Sequence, residues 1–290
     1  MKKLLNISIV TVSILLTICI AILIMYYVNV NQSQKLIDNT VQHTISIDEN
    51  DQKVIDWNEL NSINSDIVAW LEIPNTDIDC PIVQSKTNTY YLRRGLDKSY
   101  SYAGVNFFDC SNSLDMNDDN TIIYGHNLRD NNNFGQLPNL YNSIEKVLSN
   151  KYINIYLPDK TVKYAVVGAF YTNSKPTDDN DYVFPYNITN MSDEDFEEFI
   201  NELNQRFIYS SDITSDDKLL TLSTCAYEFK DERFVVVAKK INDISDFNYI
   251  SNPVPRYPQK WYDRKGKTNP YSNAVQWNVG KNMGGETDGK

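Results

Sequence analysis

At 290 residues the chain has room for one sizeable domain with appendages. Aromatic residues make up 12% of it, tyrosine accounting for twenty, against only ten glycines, a balance that favours strands over helical bundles. Of the formal charge of −11, the first 30 residues contribute +2 and the last 40 contribute +4, so residues 31–250 carry −17. A domain that acidic is a poor partner for nucleic acid, and none is expected.

The first predicted element runs from Leu4 to Val30 without a charge, long enough to cross a hydrocarbon core of roughly 30 Å. No small-x-small cleavage site follows it, so residues 1–30 read as a cytoplasmic tip and an uncleaved transmembrane anchor. Lys2 and Lys3 precede the span, which predicts a cytoplasmic N-terminus and everything after Val30 outside the cell membrane. Residues 31–52 are polar and read as a spacer.

Residues 53–245 form the domain proper. A short helix capped by Asp56 leads into a first strand ending near Ile73. Strand candidates then recur: DIDCPIV, YYLRR, VNFFD, NTIIYG, YINIYL, VKYAVVGAFY, KLLTLST and RFVVVAKKI. Asn and Asp clusters separate them, which predicts a mainly β, antiparallel-rich structure, closed or nearly so. One later helix is expected in SDEDFEEFINELNQRF. Ser192 and Asp195 hold capping-box positions, and Phe196, Phe199, Ile200, Leu203 and Phe207 make one apolar stripe. From residue 246 the chain reads as a basic, proline-containing tail, extended and flexible. No repeat, glycine-rich phosphate loop or metal-ligand spacing is evident.

Of the four cysteines, Cys19 lies in the apolar span, and Cys80, Cys110 and Cys225 lie in the domain. An odd number outside implies at least one free thiol, a Cys80–Cys110 bridge being one pairing the sequence allows. Cys225 ends the apolar run TLSTC. The chain has only two histidines, and His43 sits in the spacer, so an imidazole partner for Cys225 within the domain would be His126 in NTIIYGHNLRD. Arg233 stands eight residues after Cys225 and opens the next strand, so a hairpin would bring the two side by side. Taken singly, each has a plain alternative. Cys225 reads as a small core residue, His126 as a loop residue, and Arg233 as a surface cation paired with Asp231 or Glu232.

The order of these segments resembles the sortases, membrane-anchored cysteine transpeptidases of Gram-positive surfaces, and class B sortases most closely. The resemblance covers about Trp57 to Ile241 and rests on DIDCPIVQ, TNTYYLRR, NTIIYGHNLRDNNNFGQL and TLSTC followed by an arginine-led VVVAKK strand. It implies a closed eight-stranded β-barrel with an N-terminal helix and an added helix before the cysteine strand. It further implies Cys225 as nucleophile, His126 as proton-transfer partner and Arg233 as holder of the oxyanion or substrate carbonyl. Asn88, Leu92, Tyr124 and Ser223 match positions lining the substrate groove, while no cofactor and no metal are implied.

The implied partners are surface proteins bearing a C-terminal sorting signal and an amine of a peptidoglycan precursor, with attachment to the membrane through the N-terminal helix. Two alternatives stand beside this reading: a pilin-polymerising sortase using a lysine acceptor, and a catalytically silent, membrane-anchored binding module on the same barrel. The aspartate-aromatic lid expected of the pilin polymerases is not evident in residues 31–56. In the tail, TNPYSN (Thr268 to Asn273) loosely resembles a class B sorting signal, which raises the expectation that the tail reaches the groove as a pseudosubstrate. Glu228, between Cys225 and Arg233, is the remaining acid whose place, in the pocket or in water, spacing leaves open.

Overall fold

The structure is a computed structural model describing residues 2–49, 52–127, 133–226, 231–243 and 247–280. In chain order the elements are α1 (Lys2–Thr44), β1 (Ile45–Ile47), β2 (Lys53–Ile55), α2 (Trp57–Ile63), β3 (Ile67–Glu72), β4 (Asp79–Val83), β5 (Phe107–Phe108) and β6 (Asn120–Tyr124). There follow α3 (Leu137–Tyr141), α4 (Ile144–Ser149), β7 (Tyr152–Tyr156), β8 (Thr161–Asn173), α5 (Asp193–Arg206), β9 (Tyr209–Ser210), β10 (Leu219–Cys225), β11 (Glu232–Ile241), β12 (Ile250–Ser251) and α6 (Gln259–Lys265).

Eight strands close a barrel in the order β11-β10-β6-β5-β4-β3-β7-β8, sealed by antiparallel pairing of β8 with β11 (Val235 opposite Phe170). Two pairs are parallel, β10 with β6 and β4 with β5. The first of these decides the site, because parallel strands deliver their C-terminal ends to the same rim. Inside the barrel Leu71, Ile82, Ile123, Ile155, Val166, Leu222 and Val236 form the core.

The unbroken apolar run of β11 follows from burial on both faces. While Phe234 and Val236 point into the barrel, Val235 and Val237 point outward under α5. The stripe Phe196, Phe199, Ile200, Leu203 and Phe207 is buried there, as its spacing predicted. Gly168 of β8 makes the approach of α5 feasible, since a Cβ there would sit 2.5 Å from the Phe207 ring. The expected caps are present too: Asp56 accepts from Glu59 N at 2.9 Å, and Ser192 accepts from Asp195 N at 3.1 Å.

Two expectations need correction, and the spacer takes a structure that the sequence leaves open. YYLRR is no strand. Tyr90–Arg93 forms a single 3₁₀ turn, because the Tyr91 ring is buried and its hydroxyl donates to Asp66 (2.7 Å) while accepting from Asn64 (2.9 Å). The polar spacer is largely helical, since α1 continues to Thr44. Val30, Ile37, Thr40 and Thr44 recur at helical spacing, and all four are buried. The tail is ordered over 247–280, where β12 pairs with β9, α6 forms, and Arg256, Tyr262 and Trp277 are buried.

Candidate active site

Cys225 is the last residue of β10, and the antiparallel register sets Arg233 directly opposite it on β11. Opposed residues of an antiparallel pair project to the same face. Arg233 Nη1 accordingly lies 3.4 Å from Cys225 Sγ and also donates to the Glu232 carbonyl at 3.2 Å. Asp231, offered as a plain partner for Arg233, instead pairs with Lys175 at 2.7 Å. Beyond this pair, Ala226 N donates to Glu232 O at 2.9 Å; Glu228 lies outside the described residues.

His126 arrives by the parallel neighbour. β6 runs beside β10 with Tyr124 opposite Ser223, and Gly125 N donates to Ser223 O at 3.1 Å. Thr224 Oγ1 returns a bond to Gly125 O at 2.8 Å, and Asn127 Nδ2 donates to the Cys225 carbonyl at 2.7 Å. Histidine and cysteine therefore leave adjacent strands at one rim of the barrel. His126 Nε2 donates to the Leu92 carbonyl at 2.8 Å. A carbonyl can only accept, so the neutral ring carries its hydrogen on Nε2 and its lone pair on Nδ1. Gly104 backs this arrangement at φ +58°, where a Cβ would lie 2.6 Å from Tyr91 O and 3.1 Å from the His126 ring. Burial pushes the His126 pKa below the usual imidazole value, and the charges of Arg93 and Arg233 push the same way against the bond to Leu92.

A cavity of about 500 Å³ opens over these three residues. Asn88, Leu92, Tyr124 and Ser223 all line it with Cys225, His126 and Arg233, so the seven residues singled out in the sequence converge on one groove. Asp109, buried just after β5, organises one side. It accepts from Asn88 Nδ2 at 2.7 Å and from the Tyr124 hydroxyl at 2.8 Å. Burial and that carboxylate drive the Tyr124 phenol pKa upward, keeping it a neutral donor. Ser223 is nearly inaccessible and shares a 2.8 Å hydrogen bond with the Tyr186 hydroxyl, placing it in the groove floor.

Sequence reasoning missed Asp109, Gly104, Asn127, Val183, Tyr186 and Asn187. The last three come from the connection between β8 and α5 and line the same groove, where Tyr186 meets Ser223 and Asn187 meets Tyr124.

The remaining cysteine and motif expectations resolve simply. All four described cysteines are free, and no Cys80–Cys110 bridge forms. Cys80 is partly buried against the core, with desolvation pushing its thiol up to about 12, whereas Cys110 is exposed. TNPYSN does not reach the groove: Asn269 bonds Gln259 at 2.9 Å and Tyr271 bonds the Val254 carbonyl at 2.7 Å, both beside α6. Among the described residues no cluster of three or more His, Cys, Asp or Glu has the makings of a metal site.

Comparison with known proteins agrees with this geometry. The Sortase domain family matches residues 71–241. Sortase B of Staphylococcus aureus (strain NCTC 8325 / PS 47) is 34% identical over 192 residues, 64% of this chain and 74% of that protein. The X-ray structure of Clostridium perfringens sortase B is similar with a TM-score of 0.59 and 32% identity, over 64% of this chain and 100% of that one. A sortase B crystallised in complex with triglycine gives a TM-score of 0.56 at 33% identity, over 65% of this chain and 86% of that one. With the family's domain spanning more than half its length and the barrel shared with solved relatives, the chain belongs to the sortase family, in its class B form.

Proposed function

We propose that the chain is a cell-surface cysteine transpeptidase that cleaves a sorting signal after its threonine and passes the acyl group to an amine of a cell-wall precursor. The observation that carries this is the Arg233 guanidinium 3.4 Å from the Cys225 sulfur, in the same groove as the domain's one histidine. Residues 53–245 are the catalytic unit in this reading, held by residues 1–30 at the outer face of the membrane.

The Cys225 thiolate attacks the threonine carbonyl, and the electron pair moved onto oxygen is met by Arg233. Imidazolium at His126 donates a proton to the leaving amide nitrogen as the C–N bond breaks, which leaves a thioester and a free amine. An incoming amine then attacks the thioester and yields a proton to His126, and the cysteine leaves as thiolate. Asn88, Leu92, Tyr124 and Ser223 hold the peptide, with the Asp109 network fixing the first and third of these. The complex of a sortase B relative with triglycine supports a glycine-type amine as acceptor.

The test is mass spectrometry of the full chain incubated with sorting peptides of NPxTN and xPxTG type. A thioester adduct is expected on Cys225, released by triglycine, and Cys225→Ala is expected to form none while keeping its fold. Release by a lysine-bearing acceptor but not by triglycine would instead indicate pilin polymerisation. A folded protein that forms no adduct with any peptide would overturn the proposal.

A further inference from the structure

The matched Sortase domain ends at residue 241, yet residues 247–280 beyond it are ordered as well. This segment crosses the outside of the barrel and binds both α5 and the connection between β8 and α5. Asn252 N donates to Ile208 O at 3.0 Å and Arg256 N to Gln205 O at 2.8 Å, and the Arg256 guanidinium reaches the buried Glu202 at 3.3 Å. Gln259 N then donates to Asp179 at 2.8 Å, Lys260 pairs with Asp178, and Gln276 donates to the Asn180 carbonyl at 3.3 Å. Gly280 N finally bonds Asp195, in the first turn of α5, at 3.0 Å.

The connection so gripped is the wall of the groove that carries Val183, Tyr186 and Asn187. Val183 stands between two residues held by Trp277. The Tyr182 hydroxyl donates to the Trp277 carbonyl at 2.7 Å, and the Phe184 ring packs 6.2 Å from the Trp277 ring. Trp277 is 4% exposed and also packs 5.7 Å from Phe199 of α5. Just upstream, Asn180 and Asp181 adopt φ of 51° and 63°, a left-handed pair of the residue types that enter that region most readily, as in tight turns. The tail supplies contacts on both sides of that pair.

We infer that residues 253–280 are a positioning strap for substrate: Trp277 pins Tyr182 and Phe184 so that Val183, Tyr186 and Asn187 stand fixed against the bound peptide. The strap serves binding and discrimination, not the chemical step. Cys225, His126 and Arg233 hang from β10, β6 and β11, whose pairing with one another and with β8 does not involve the tail. This role rests on the peptide-cleaving reading above.

The test uses the full chain and its Trp277→Ala, Trp277→Phe and Tyr182→Phe variants, each assayed on the peptide panel and by hydrogen exchange. Trp277→Ala is expected to raise KM about tenfold, hold kcat within about twofold, and compress the preference among peptides. Amides of residues 178–187 should exchange faster while those of β8, β10 and β11 keep their protection. Tyr182→Phe should show the same split at smaller size. Trp277→Phe should restore wild-type behaviour, because the indole N–H has no hydrogen-bond partner among the described residues. Unchanged KM and exchange in Trp277→Ala would overturn the strap, as would lost protection throughout the barrel, which marks a merely structural role. Were the wild type to cleave no peptide, the transpeptidase reading would fall, and exchange at 178–187 would still decide whether Trp277 holds the wall.

Discussion

At the scale of single residues, the site is governed by which groups are kept from water. His126 is half-buried, its ring bonds a backbone carbonyl and lies near two arginines, and burial together with those charges favours the neutral imidazole in the fold. Its folded pKa lies below the unfolded value of about 6.5, so between the two the unfolded chain binds more protons and stability rises with pH. That contribution is fully present above the unfolded value and is lost as pH falls through the folded one. Denaturant midpoints measured from about pH 8 to about pH 5 should therefore fall further for the wild type than for His126→Gln. Parallel curves would show that His126 titrates as in the unfolded chain.

Cys225 and His126 illustrate what was legible at this scale. The domain offers no histidine but His126, and a hairpin would set Arg233 beside Cys225, yet each kept a plain alternative until the resemblance to the sortases joined the three. Gly104 and Asp109 were not legible, because each acts on a residue distant in sequence, Gly104 on His126 and Asp109 on Asn88 and Tyr124.

At the scale of elements, α5 shows local and tertiary preferences in agreement. Its Ser192 cap, acidic first turn and apolar stripe all favour a helix in this place, and the stripe is buried on β8 and β11. Ser192→Ala removes the acceptor for Asp195 N and is expected to cost about 1 kcal/mol, read as a lower urea midpoint with an unchanged slope. A midpoint equal to wild type would mean the cap is replaced by solvent. YYLRR shows the opposite case. Its β-prone composition yields to two hydrogen bonds on the buried Tyr91 hydroxyl, and the resulting turn aims the Leu92 carbonyl at His126.

At the scale of the whole molecule, α1 joins the apolar span to the barrel as one continuous helix. Its span has a mean hydropathy of 2.9 and is long enough to cross a membrane. At the outer end of that span, Asn29 donates to the Tyr100 carbonyl at 3.0 Å and Tyr102 N donates back to Asn29 at 2.8 Å, so the middle of α1 and the barrel are joined at the loop preceding Gly104. The exposed Cys110 thiol makes the proposed orientation measurable. In a Cys225→Ala background, a membrane-impermeant maleimide should label intact cells, and Cys110→Ser should remove most of that label. Labelling only after permeabilisation would reverse the topology.

The sequence by itself determined the apolar N-terminal span, the eight strands of the barrel, the capped helix and the segments that carry the cysteine, histidine and arginine, because these depend on local periodicity, composition and short motifs. Only the tertiary structure decided that they meet. Parallel pairing of β6 with β10 brings His126 to the rim where Cys225 ends, and antiparallel pairing with β11 sets Arg233 opposite it. Only the tertiary structure, too, turned a polar, proline-bearing tail into part of the groove's support. Its few aromatic and charged anchors show no period of their own and acquire partners only on a surface made by distant strands and α5.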